Sequence, residues 1–412
     1  MSEASNGGGP LRGVRVLDFT WVWAGPYATM LLAMLGAEVI KIESAGRMDI
    51  MRRVIVWPLF APAPHEVPLN QGVAFGGINM NKLGATLNLD KPEGIELVKR
   101  LVAMSDVVFE NMRPGIMDRL GLGYDELSKV NPRLIMLSSS ARGASGPESQ
   151  YAGYATVHHA VGGASYLTGY PDGPPSATFG DVDLVNATVS AFAVIAALHH
   201  REATGEGQFI DYSQCEGVSS LLGEVLLDYE MNGRSQSRLG NADPILAPHS
   251  VYPAWGVDRW LAIAVETDEE FAALAKVIGQ PELAEDSRFI DNASRKRNEG
   301  ALDELISSWT RLRDRDFVVN LLIQAGVPAA PSRNADDLMA DPHLAARGAF
   351  VEVDHPEVGP RLFHGAPWIM SDPGVETRRA PLLGEHNDYV FRQLLGLKEE
   401  EISRLQTDGV MR

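Results

Sequence analysis

Short apolar runs alternate with amphipathic stretches along the first part of the chain. Val14–Thr20 and Glu38–Glu43 are apolar and rich in β-branched residues, and a helical pattern that begins near Pro26 and ends at Gly36 separates them. Proline is favoured in the first turn of a helix, and glycine commonly follows the last turn. This order predicts a strand, a helix and a second strand, the repeating unit of a parallel sheet.

The same alternation continues as far as residue 140. Further strands are predicted at Thr86–Leu89, Asp106–Glu110 and Arg133–Ser139, with a helix over 91–104 and a long loop rich in proline and glycine over 45–80. Strands that alternate with helices are typical of α/β proteins. The fold class predicted for this region is therefore α/β, with a doubly wound parallel sheet.

The later part of the chain shows a second organisation. Residues 184–204 predict a long apolar helix, 208–212 a strand and 214–232 another helix. Residues 234–248 contain Gly, Asn, Asp and Pro without periodicity, which indicates a domain boundary. Hairpin and helix patterns follow, and they predict a smaller α+β domain.

We therefore expect a large domain that is interrupted by a small one. The predicted segments are residues 1–225 for the first part of the large α/β domain, 235–330 for the small α+β domain, and 331–412 for a C-terminal segment that returns to the large domain. In that last segment, short strands are expected on either side of the turn over 355–359, and an amphipathic helix is expected to end near Leu397.

The acidic composition limits the partners that this chain can bind. Among 412 residues, 54 are Asp or Glu and 36 are Lys or Arg, so the net charge is −18. Such a chain repels nucleic acids and anionic membranes, and its longest near-apolar run, over 187–198, is too short to span a bilayer. We expect no nucleic-acid or membrane partner. The single cysteine, Cys215, fits a reducing, cytoplasmic location.

One candidate catalytic group lies in the turn before the long helix. Asp181 follows Gly180, and a helical pattern begins at 182–184. The helix dipole favours a negative charge at that point, so an ionised Asp181 could act as a covalent nucleophile. The alternative is a helix cap, for which Asp is also preferred. Asp183 could pair with Asp181 in acid–base chemistry, or it could cap the helix.

Other motifs argue against three further kinds of site. The pairs His158-His159 and His199-His200 are adjacent, whereas metal ligands on one helix need spacings of three or four residues, so we predict no metal site. Gly143-Ala-Ser-Gly146 is one residue shorter than the nucleophile elbow of α/β-hydrolases. No Gly-x-Gly-x-x-Gly follows the first strand, which argues against a dinucleotide site.

A series of short motifs extends in order over nearly the whole chain. The motifs are Leu11-Arg-Gly-Val-Arg-Val-Leu-Asp-Phe-Thr20 with Ala24-Gly-Pro26, Leu35-Gly-Ala-Glu-Val-Ile-Lys-Ile-Glu43, Asn81-Lys82 with Leu87, Glu110-Asn-Met-Arg-Pro-Gly115 with Arg119-Leu-Gly121, Gly173-Pro-Pro175 before Gly180-Asp181, Thr204-Gly-Glu-Gly-Gln208, and Ala380-Pro-Leu-Leu-Gly-Glu-His386. In this order they resemble the class III CoA-transferases, the family that includes the formyl-CoA and carnitine-CoA transferases.

This resemblance implies roles for particular residues. Asp181 would be the catalytic nucleophile, with Gly180 beside it and Tyr154 near the thioester of the substrate. The implied CoA contacts are Val22, Ala24, Leu87, Asn111, Met112 and Arg119. The resemblance also implies the α/β fold predicted above and an interlocked homodimer.

The reaction implied by the resemblance is CoA transfer from an acyl-CoA thioester to a carboxylic acid. The Asp181 carboxylate would form an acyl anhydride and then an aspartyl-CoA thioester, without a metal or a tightly bound cofactor, since coenzyme A enters as part of the substrate. CoA carries phosphates, which an acidic chain must meet with local positive charge. Lys41, Arg47 and Arg113 are further basic candidates for this purpose, by their positions alone.

Two alternatives stay open. The same fold supports 2-methylacyl-CoA racemases, which use a His and an Asp as bases; that His would fall at Tyr154, a poor group for titration near neutrality. His158 or His159 could replace it. The chain could also be a non-catalytic subunit that assembles with a paralogue.

Finally, Trp23 stands where formyl-CoA transferase has an amide, and together with Met112 it suggests a larger or more apolar acyl group.

Overall fold

The computed structural model describes residues 8–53, 68–176, 180–371 and 374–412. The described residues divide into two compact units. One unit comprises those of Met1–Ala164, Ala177–Leu226 and Ala346–Arg412, and the other comprises Ser165–Ser176 and Leu227–Ala345. The division into 1–225, 235–330 and 331–412 that the sequence suggests stays a prediction.

Six strands and ten α-helices follow one another over the described residues from 15 to 232. Their bounds are β1 (Arg15–Asp18), α1 (Ala24–Met34), β2 (Glu38–Glu43), α2 (Val73–Ile78), β3 (Leu83–Thr86), α3 (Pro92–Val102), β4 (Val107–Glu110), α4 (Ile116–Arg119), α5 (Tyr124–Val130), β5 (Ile135–Ser140), α6 (Ala155–Val161), α7 (Ala164–Leu167), α8 (Asp181–Thr204), β6 (Gln208–Ser213), α9 (Gln214–Ser219) and α10 (Gly223–Asn232). A short 3₁₀ turn lies at Ile50–Arg53.

The first six strands form one sheet in the order β3-β2-β1-β4-β5-β6, and every neighbouring pair is parallel. In the register of the central strands, Val16 lies between Val39 and Val107. The predicted doubly wound α/β fold is therefore confirmed. The strand order reverses between β1 and β4, and ligands of such sheets bind beyond the carboxyl ends of the strands at this switch point.

Apolar clusters cover both faces of the sheet. Successive side chains of a strand point to opposite faces, so Leu17 belongs to a cluster with α3 and the C-terminal Phe391, whereas Val16 belongs to a cluster with α1 and α8. Parallel strands are usually buried on both faces. Full burial of a side chain of this size stabilises the fold by roughly 1.5–3 kcal/mol.

Helix α8 is a core helix of this unit. It has 24 residues and therefore extends beyond the apolar run over 187–198. By length and composition alone, it is apolar enough to cross a membrane. However, Ala187, Ala191 and Val194 are buried in the cluster that contains α1 and one face of the sheet. Packing accounts for the apolar character of this face, whereas Leu184, Val189 and Phe192 are exposed.

The second unit is built around a three-stranded antiparallel sheet in the order β7-β8-β9. The elements are β7 (His249–Pro253), β8 (Trp260–Ala264), α11 (Asp268–Val277), α12 (Asn292–Arg297), α13 (Glu299–Thr310), α14 (Arg315–Gln324), β9 (Ala329–Ser332), α15 (Ala335–Met339) and α16 (Pro342–Ala346), with a 3₁₀ turn at Pro281–Ala284. The predicted hairpin and the helix that follows it are present. Thr267 caps α11 in a capping box with Glu270.

The C-terminal segment adds the hairpin β10 (Phe350–His355) and β11 (Gly359–His364), which confirms the strands expected around this turn. A π-helix at Asp388–Leu394 replaces the expected α-helix, and α17 (Glu399–Thr407), which the sequence analysis missed, follows it.

Two local predictions were wrong. Strand β3 ends at Thr86 instead of beginning there. The C-terminal segment packs closely on this strand, because a Cβ built on Gly84 would lie 2.9 Å from the Leu382 carbonyl oxygen. The helix expected over 214–232 is broken into α9 and α10. Ser220 Oγ donates to the Gly217 carbonyl at 2.7 Å, and such side-chain bonds compete with the helical pattern.

Candidate active site

The loop that follows β1 lies at the switch point, and polar side chains fix its backbone. The Thr20 N–H donates to Asp18 Oδ1 at 2.8 Å, and Lys41 Nζ donates to the Thr20 carbonyl at 2.6 Å. The Asn111 side chain accepts a bond from the Trp21 N–H and donates one to the Trp21 carbonyl, both at 2.8 Å. Side chains from β1, β2 and the end of β4 therefore set the path of this loop.

Val22 adopts a strained backbone conformation in the loop. Its φ is +75°, in the left-handed region that β-branched residues rarely occupy. Its N–H donates to Asp49 Oδ1 at 3.3 Å, which helps to hold that conformation. Strain of this kind, on the order of 1–3 kcal/mol, persists only where the surroundings enforce it, and it clusters at ligand sites.

Three buried ion pairs adjoin this loop. The pairs are Asp18–Lys82 at 2.8 Å, Lys41–Asp49 at 3.2 Å and Glu43–Arg52 at 2.6 Å. Burial opposes the charge on Asp18, but Lys82 and Lys41 outweigh it and lower its pKa. At Lys82, the effect of burial exceeds that of the Asp18 charge and lowers the pKa of the ammonium group to about 8. Lys41 is fully buried and paired with Asp49, so the expectation that it could meet an external phosphate was wrong.

A cavity of about 520 Å³ lies at the carboxyl ends of β1, β2, β4 and β5. Its lining comes from residues 19, 21–24, 42–44, 47, 87–90, 111–114, 116, 120, 139–141, 151–154, 158, 183 and 214. This volume is typical of a small-molecule site, and the position is the one expected for a ligand of an open parallel sheet.

Most of the CoA contacts implied by the resemblance lie together in this cavity. The residues that line it are Val22, Ala24, Leu87, Asn111 and Met112, together with Tyr154. Arg47 and Arg113 also line it, and both are exposed, so phosphates can approach them from solvent. Among the described residues, Arg119, Gly180 and Asp181 lie outside the lining.

Helix α8 begins at Asp181 itself and not at 182–184. Gly180 occupies the cap position with φ of +87°, a conformation that glycine adopts without strain. Asp181 is exposed, and its Oδ1 accepts a bond from the Val182 N–H at 2.9 Å. The sequence predicts Asp181 in the turn before the helix, but Gly180 occupies that turn and Asp181 is the first helical residue. The predicted helix start was therefore wrong by one residue.

Asp183 does not cap the helix, which corrects the expectation that it could. It lies in the first turn of α8, is half-buried and lines the cavity. Burial, with a further contribution from the charge of Asp181, raises its pKa to about 6. The two carboxyl groups are therefore close enough to interact, and Asp183 connects the start of α8 with the cavity wall.

Four polar side chains from four different elements line the cavity and form what we call the polar recess. They are Ser140 at the end of β5, His158 on α6, Asp183 on α8 and Gln214 at the start of α9. Strand pairing places Ser140 opposite Ser213, which precedes Gln214. Helices α6, α8 and α9 meet through the buried cluster of Ala155, Val182 and Val218.

The polar recess contains buried atoms that lack hydrogen-bond partners in the described ranges: Ser140 Oγ, Gln214 Oε1 and both ring nitrogens of His158. These side chains are only 6%, 6% and 2% exposed, respectively. Burial lowers the pKa of His158 to about 4, although the adjacent Gly153 backbone favours the protonated form without reaching hydrogen-bond geometry. The ring is therefore neutral at pH 7.

Glu110 shapes the neighbouring wall. It ends β4 and is buried, and it accepts bonds from the Ser138 hydroxyl and from the Met112 N–H, the latter at 2.6 Å. Burial raises its pKa to about 7, in spite of these two bonds. The interaction with Met112 fixes the turn that carries Asn111 into the cavity.

Sequence reasoning missed Asp49, Ser140 and Gln214 as parts of this site. Ser140 could have been found, because three serines end the apolar strand β5 at the edge where ligands bind. Gln214 follows β6 in the same way, but its glutamine type alone gives no signal. Asp49 lies in the long loop over 45–80, and its contacts with Val22 and Lys41 depend on the tertiary fold.

Residues 11–387 match the sequence profile described as CoA-transferase family III. The chain belongs to this family. It is 37% identical to a protein of Chloroflexus aurantiacus named succinyl-CoA–D-citramalate CoA-transferase, over 98% of each chain. It is 35% identical, also over 98% of each chain, to a protein of the same organism named succinyl-CoA–L-malate CoA-transferase beta subunit. A crystal structure of a CAIB/BAIF family protein from Brucella suis has a TM-score of 0.83 with this chain at 34% identity, covering 94% of this chain and 99% of that one.

The resemblance inferred from the motifs is thereby confirmed. The protein is a class III CoA-transferase, and acyl-CoA thioesters and carboxylates are substrates that fit this family. These relatives match over 98% of the chain, so the match includes both compact units.

Proposed function

We propose that this CoA-transferase moves CoA from an acyl-CoA thioester to a carboxylic acid through a covalent intermediate on Asp181. The observation that carries the proposal is the position of Asp181 as the first residue of α8, two residues before Asp183, which lines the cavity. An exposed carboxylate at a helix N-terminus is favoured in its charged form, as a nucleophile must be.

The proposed reaction has four steps. The Asp181 carboxylate attacks the thioester carbonyl, and the CoA thiolate leaves, which forms an acyl–aspartyl anhydride. The thiolate then attacks the aspartyl carbonyl, releases the donor acid and forms an aspartyl-CoA thioester. The acceptor carboxylate attacks that thioester, and the thiolate leaves again with formation of a second anhydride. Attack of the thiolate on the acceptor carbonyl gives the new acyl-CoA and restores the Asp181 carboxylate.

Gly180 supports this chemistry by leaving space at the reacting group. A Cβ built at Gly180 would meet no described atom within 4 Å, so the backbone is open to a substrate on that side. Its positive φ also sets the direction in which Asp181 enters the helix. We propose that the backbone here can approach the oxyanion of a tetrahedral intermediate.

The cavity lining supports the proposed CoA contacts. Val22, Ala24, Leu87, Asn111 and Met112 surround a mainly apolar space at the switch point, and the exposed guanidinium groups of Arg47 and Arg113 can bind phosphates. Arg119, outside the cavity lining, is exposed on α4 and stays a proposed CoA contact. Both relatives named above carry succinyl-CoA in their names, so it is the first donor to test.

The racemase alternative has less support. It uses a His together with an Asp, but Tyr154 stands at the implied position of that His, and burial lowers the pKa of His158 to about 4. Exchange of the α-proton of an acyl-CoA in deuterated water, in the absence of an acceptor acid, would favour this alternative if it occurred without CoA transfer.

We also propose that the chain forms a homodimer in the cytoplasm. Helix α10 buries none of its residues and exposes four large apolar side chains, Leu226, Leu227, Tyr229 and Met231, which is typical of an interaction surface. One relative is named as a subunit, so the alternative is assembly with a paralogue. Light scattering and a transfer assay on the purified chain alone distinguish the two, because a heteromeric subunit would be inactive alone.

Trapping with hydroxylamine tests the mechanism. Incubation with succinyl-CoA and hydroxylamine should convert Asp181 to a hydroxamate that peptide mass spectrometry locates, and Asp181→Ala should abolish both the adduct and the transfer. Asp183→Asn is the matched control, since it retains the nucleophile and should still form the adduct. Substantial turnover by a folded Asp181→Ala enzyme would refute the assignment.

A further inference from the structure

Glu110 is a buried carboxyl group at the base of a turn that belongs to the cavity wall. It is the last residue of β4 and only 3% exposed, and the two residues that follow it, Asn111 and Met112, line the cavity. Its Oε2 accepts a hydrogen bond from the Met112 N–H at 2.6 Å, and its Oε1 accepts one from the Ser138 hydroxyl on β5. Glu110 therefore ties this turn to the neighbouring strand of the sheet.

The turn that Glu110 holds also supports the loop after β1. The Asn111 side chain accepts a hydrogen bond from the Trp21 N–H and donates one to the Trp21 carbonyl, and Trp21 and Val22 line the same cavity. A shift of the backbone at Met112 would therefore change the position of Asn111 and, through it, that of the loop. Glu110 is outside the cavity lining, so its effect on a ligand passes through these neighbours.

The surroundings of Glu110 offer hydrogen bonds but no compensating positive charge. In the described ranges no lysine or arginine pairs with it, and the charged group that acts on it is Asp118 on α4. On β1, Asp18 bonds to Lys82 instead, and Arg113, in the turn itself, is exposed. Burial, with a smaller contribution from Asp118, raises the pKa of Glu110 to about 7. Both protonation states are therefore populated near neutral pH.

The two protonation states hold the turn with different strength. A hydrogen bond to a carboxylate is roughly twice as strong as one between neutral groups. When Glu110 is protonated, its O–H can donate to Ser138 Oγ, and the bond from the Met112 N–H becomes an ordinary bond to a neutral carboxyl oxygen. The charged form of Glu110 therefore keeps Met112 and Asn111 more firmly in the cavity wall.

We propose that Glu110 is a positioning residue for CoA binding, which as a carboxylate holds Asn111 and Met112 in the cavity wall and which weakens CoA binding when it takes up a proton. This inference rests on the proposed function, because it takes Asn111 and Met112 as CoA contacts. Since CoA binds the charged form more tightly, binding releases protons from Glu110, and the affinity for CoA rises with pH. The rise is centred near pH 7 and is complete above it.

Calorimetric titration with free coenzyme A at pH 5.5 and 8.5 tests the proposal without turnover. Glu110→Gln retains an acceptor oxygen for the Met112 N–H but has no charge. It should bind CoA as tightly as the wild type at pH 5.5 and about fivefold more weakly at pH 8.5, which is the difference between a charged and a neutral hydrogen bond. Asp183 and the CoA phosphate also titrate in this range, but they are common to both proteins and cancel.

Two results of this titration would overturn the proposal. The first is an equal affinity of the wild type and Glu110→Gln at pH 8.5. The second is the same deficit of Glu110→Gln at both pH values, which would show a structural role that does not depend on the charge. Asp303→Asn is the matched control, and it should follow the wild type throughout. Asp303 accepts a bond from the Tyr252 hydroxyl at 2.6 Å and its pKa is also raised by burial, but it is outside the cavity lining.

Ser138→Ala provides a second test, which serves if Glu110→Gln fails to fold. The Ser138 hydroxyl lowers the pKa of Glu110, so its removal should raise that pKa further. The midpoint of the rise in CoA affinity should therefore move to higher pH than in the wild type, although the carboxyl group itself is unchanged. A midpoint that stays in place or moves to lower pH would overturn the proposal.

The outcomes separate this inference from the proposed function. If Asn111→Ala weakens CoA binding but Glu110→Gln follows the wild type at both pH values, the positioning role is wrong and the CoA contacts stand. If Glu110→Gln loses affinity only at pH 8.5 but hydroxylamine yields no adduct at Asp181, the covalent mechanism is wrong and the positioning role stands.

Discussion

The Asn111 side chain forms two hydrogen bonds with the backbone of Trp21, one to the N–H and one to the carbonyl, each 2.8 Å long. This pairing joins the end of β4 to the loop after β1 across the switch point of the sheet. Trp21 precedes Val22, whose φ of +75° is strained, so the Asn111 amide helps to enforce the shape of the cavity wall.

Asn111→Ala should therefore weaken acyl-CoA binding, and the loss of binding should be larger than a general loss of stability would cause. Loss of two hydrogen bonds of about 1 kcal/mol each should let the loop relax, and the KM for the acyl-CoA should rise about tenfold. Steady-state kinetics and thermal unfolding measure the two effects. Asn131→Ala is the control, because Asn131 Nδ2 also donates to two backbone carbonyls, at 3.1 and 2.8 Å, but outside the cavity lining. Equal KM changes in both variants would contradict the prediction.

Gly180→Ala should lower both stability and transfer. A side chain at φ of +87° costs about 1–2 kcal/mol, and it places a methyl group where the proposed mechanism brings substrate to Asp181. Gly205→Ala gives the same backbone strain at the other end of α8, where φ is +82°. We expect both variants to lose similar free energies of unfolding in urea, whereas only Gly180→Ala loses most of its kcat. A fully active Gly180→Ala enzyme would argue against close approach at this point.

Asp183 should make the folded protein less stable as the pH rises. Its pKa is about 6 in the folded state against an ordinary value of 3.8, so the folded state binds its proton more tightly than the unfolded state. The contribution of Asp183 is then most favourable below pH 4, and it is lost between pH 4 and 6. At 1.36 kcal/mol per pH unit, the loss is at most about 3 kcal/mol.

Asp183→Asn removes this dependence. Urea unfolding of both proteins at pH 4.5 and 7.5 should show that the variant gains stability relative to the wild type at the higher pH. Glu110, whose pKa of about 7 is also raised by burial, is present in both proteins, so its effect cancels in the comparison. A difference between the proteins that does not change with pH would show that Asp183 titrates normally.

The buried pair of Asp18 and Lys82 should be sensitive to removal of either partner. Lys82→Met leaves the Asp18 carboxylate buried with Lys41 as its remaining nearby cation, and breaking such a pair typically costs about 3–5 kcal/mol. Chemical unfolding measures the loss. Lys129→Met breaks an exposed pair with Glu126 and should change stability little, since solvent screens that interaction. Similar losses in both variants would show that the buried cluster does not depend on its charge balance.

Local patterns were sufficient for the order of most elements. The strand at Glu38–Glu43 was predicted with its observed bounds, and the helix between Pro26 and Gly36 was predicted within two residues of α1. These predictions succeeded because apolar periodicity, proline and glycine act within a few residues along the chain. The break between α9 and α10 was missed, because it reflects side-chain bonds of serines that periodicity does not register.

The candidate site was only partly accessible to the same reasoning. Asp181 and Gly180 could be selected because a helix start and a glycine turn are local features. Lys41 was misassigned as a phosphate contact, because its pairing with Asp49 joins a strand to a loop and is invisible in the sequence. Ser140 and Gln214 line one cavity because β5 pairs with β6, which places Ser140 opposite Ser213.

The sequence by itself determined the succession of strands and helices, the acidic character of the chain and the family to which its motifs point, since each depends on residue types and short spacings. Only the tertiary structure decided which side chains are buried, which ions are paired, and which residues line the cavity. These properties arise because the fold brings together residues that lie more than 100 positions apart in the sequence, such as Asp18 and Gln214. Contacts at that separation depend on the packing of the whole sheet.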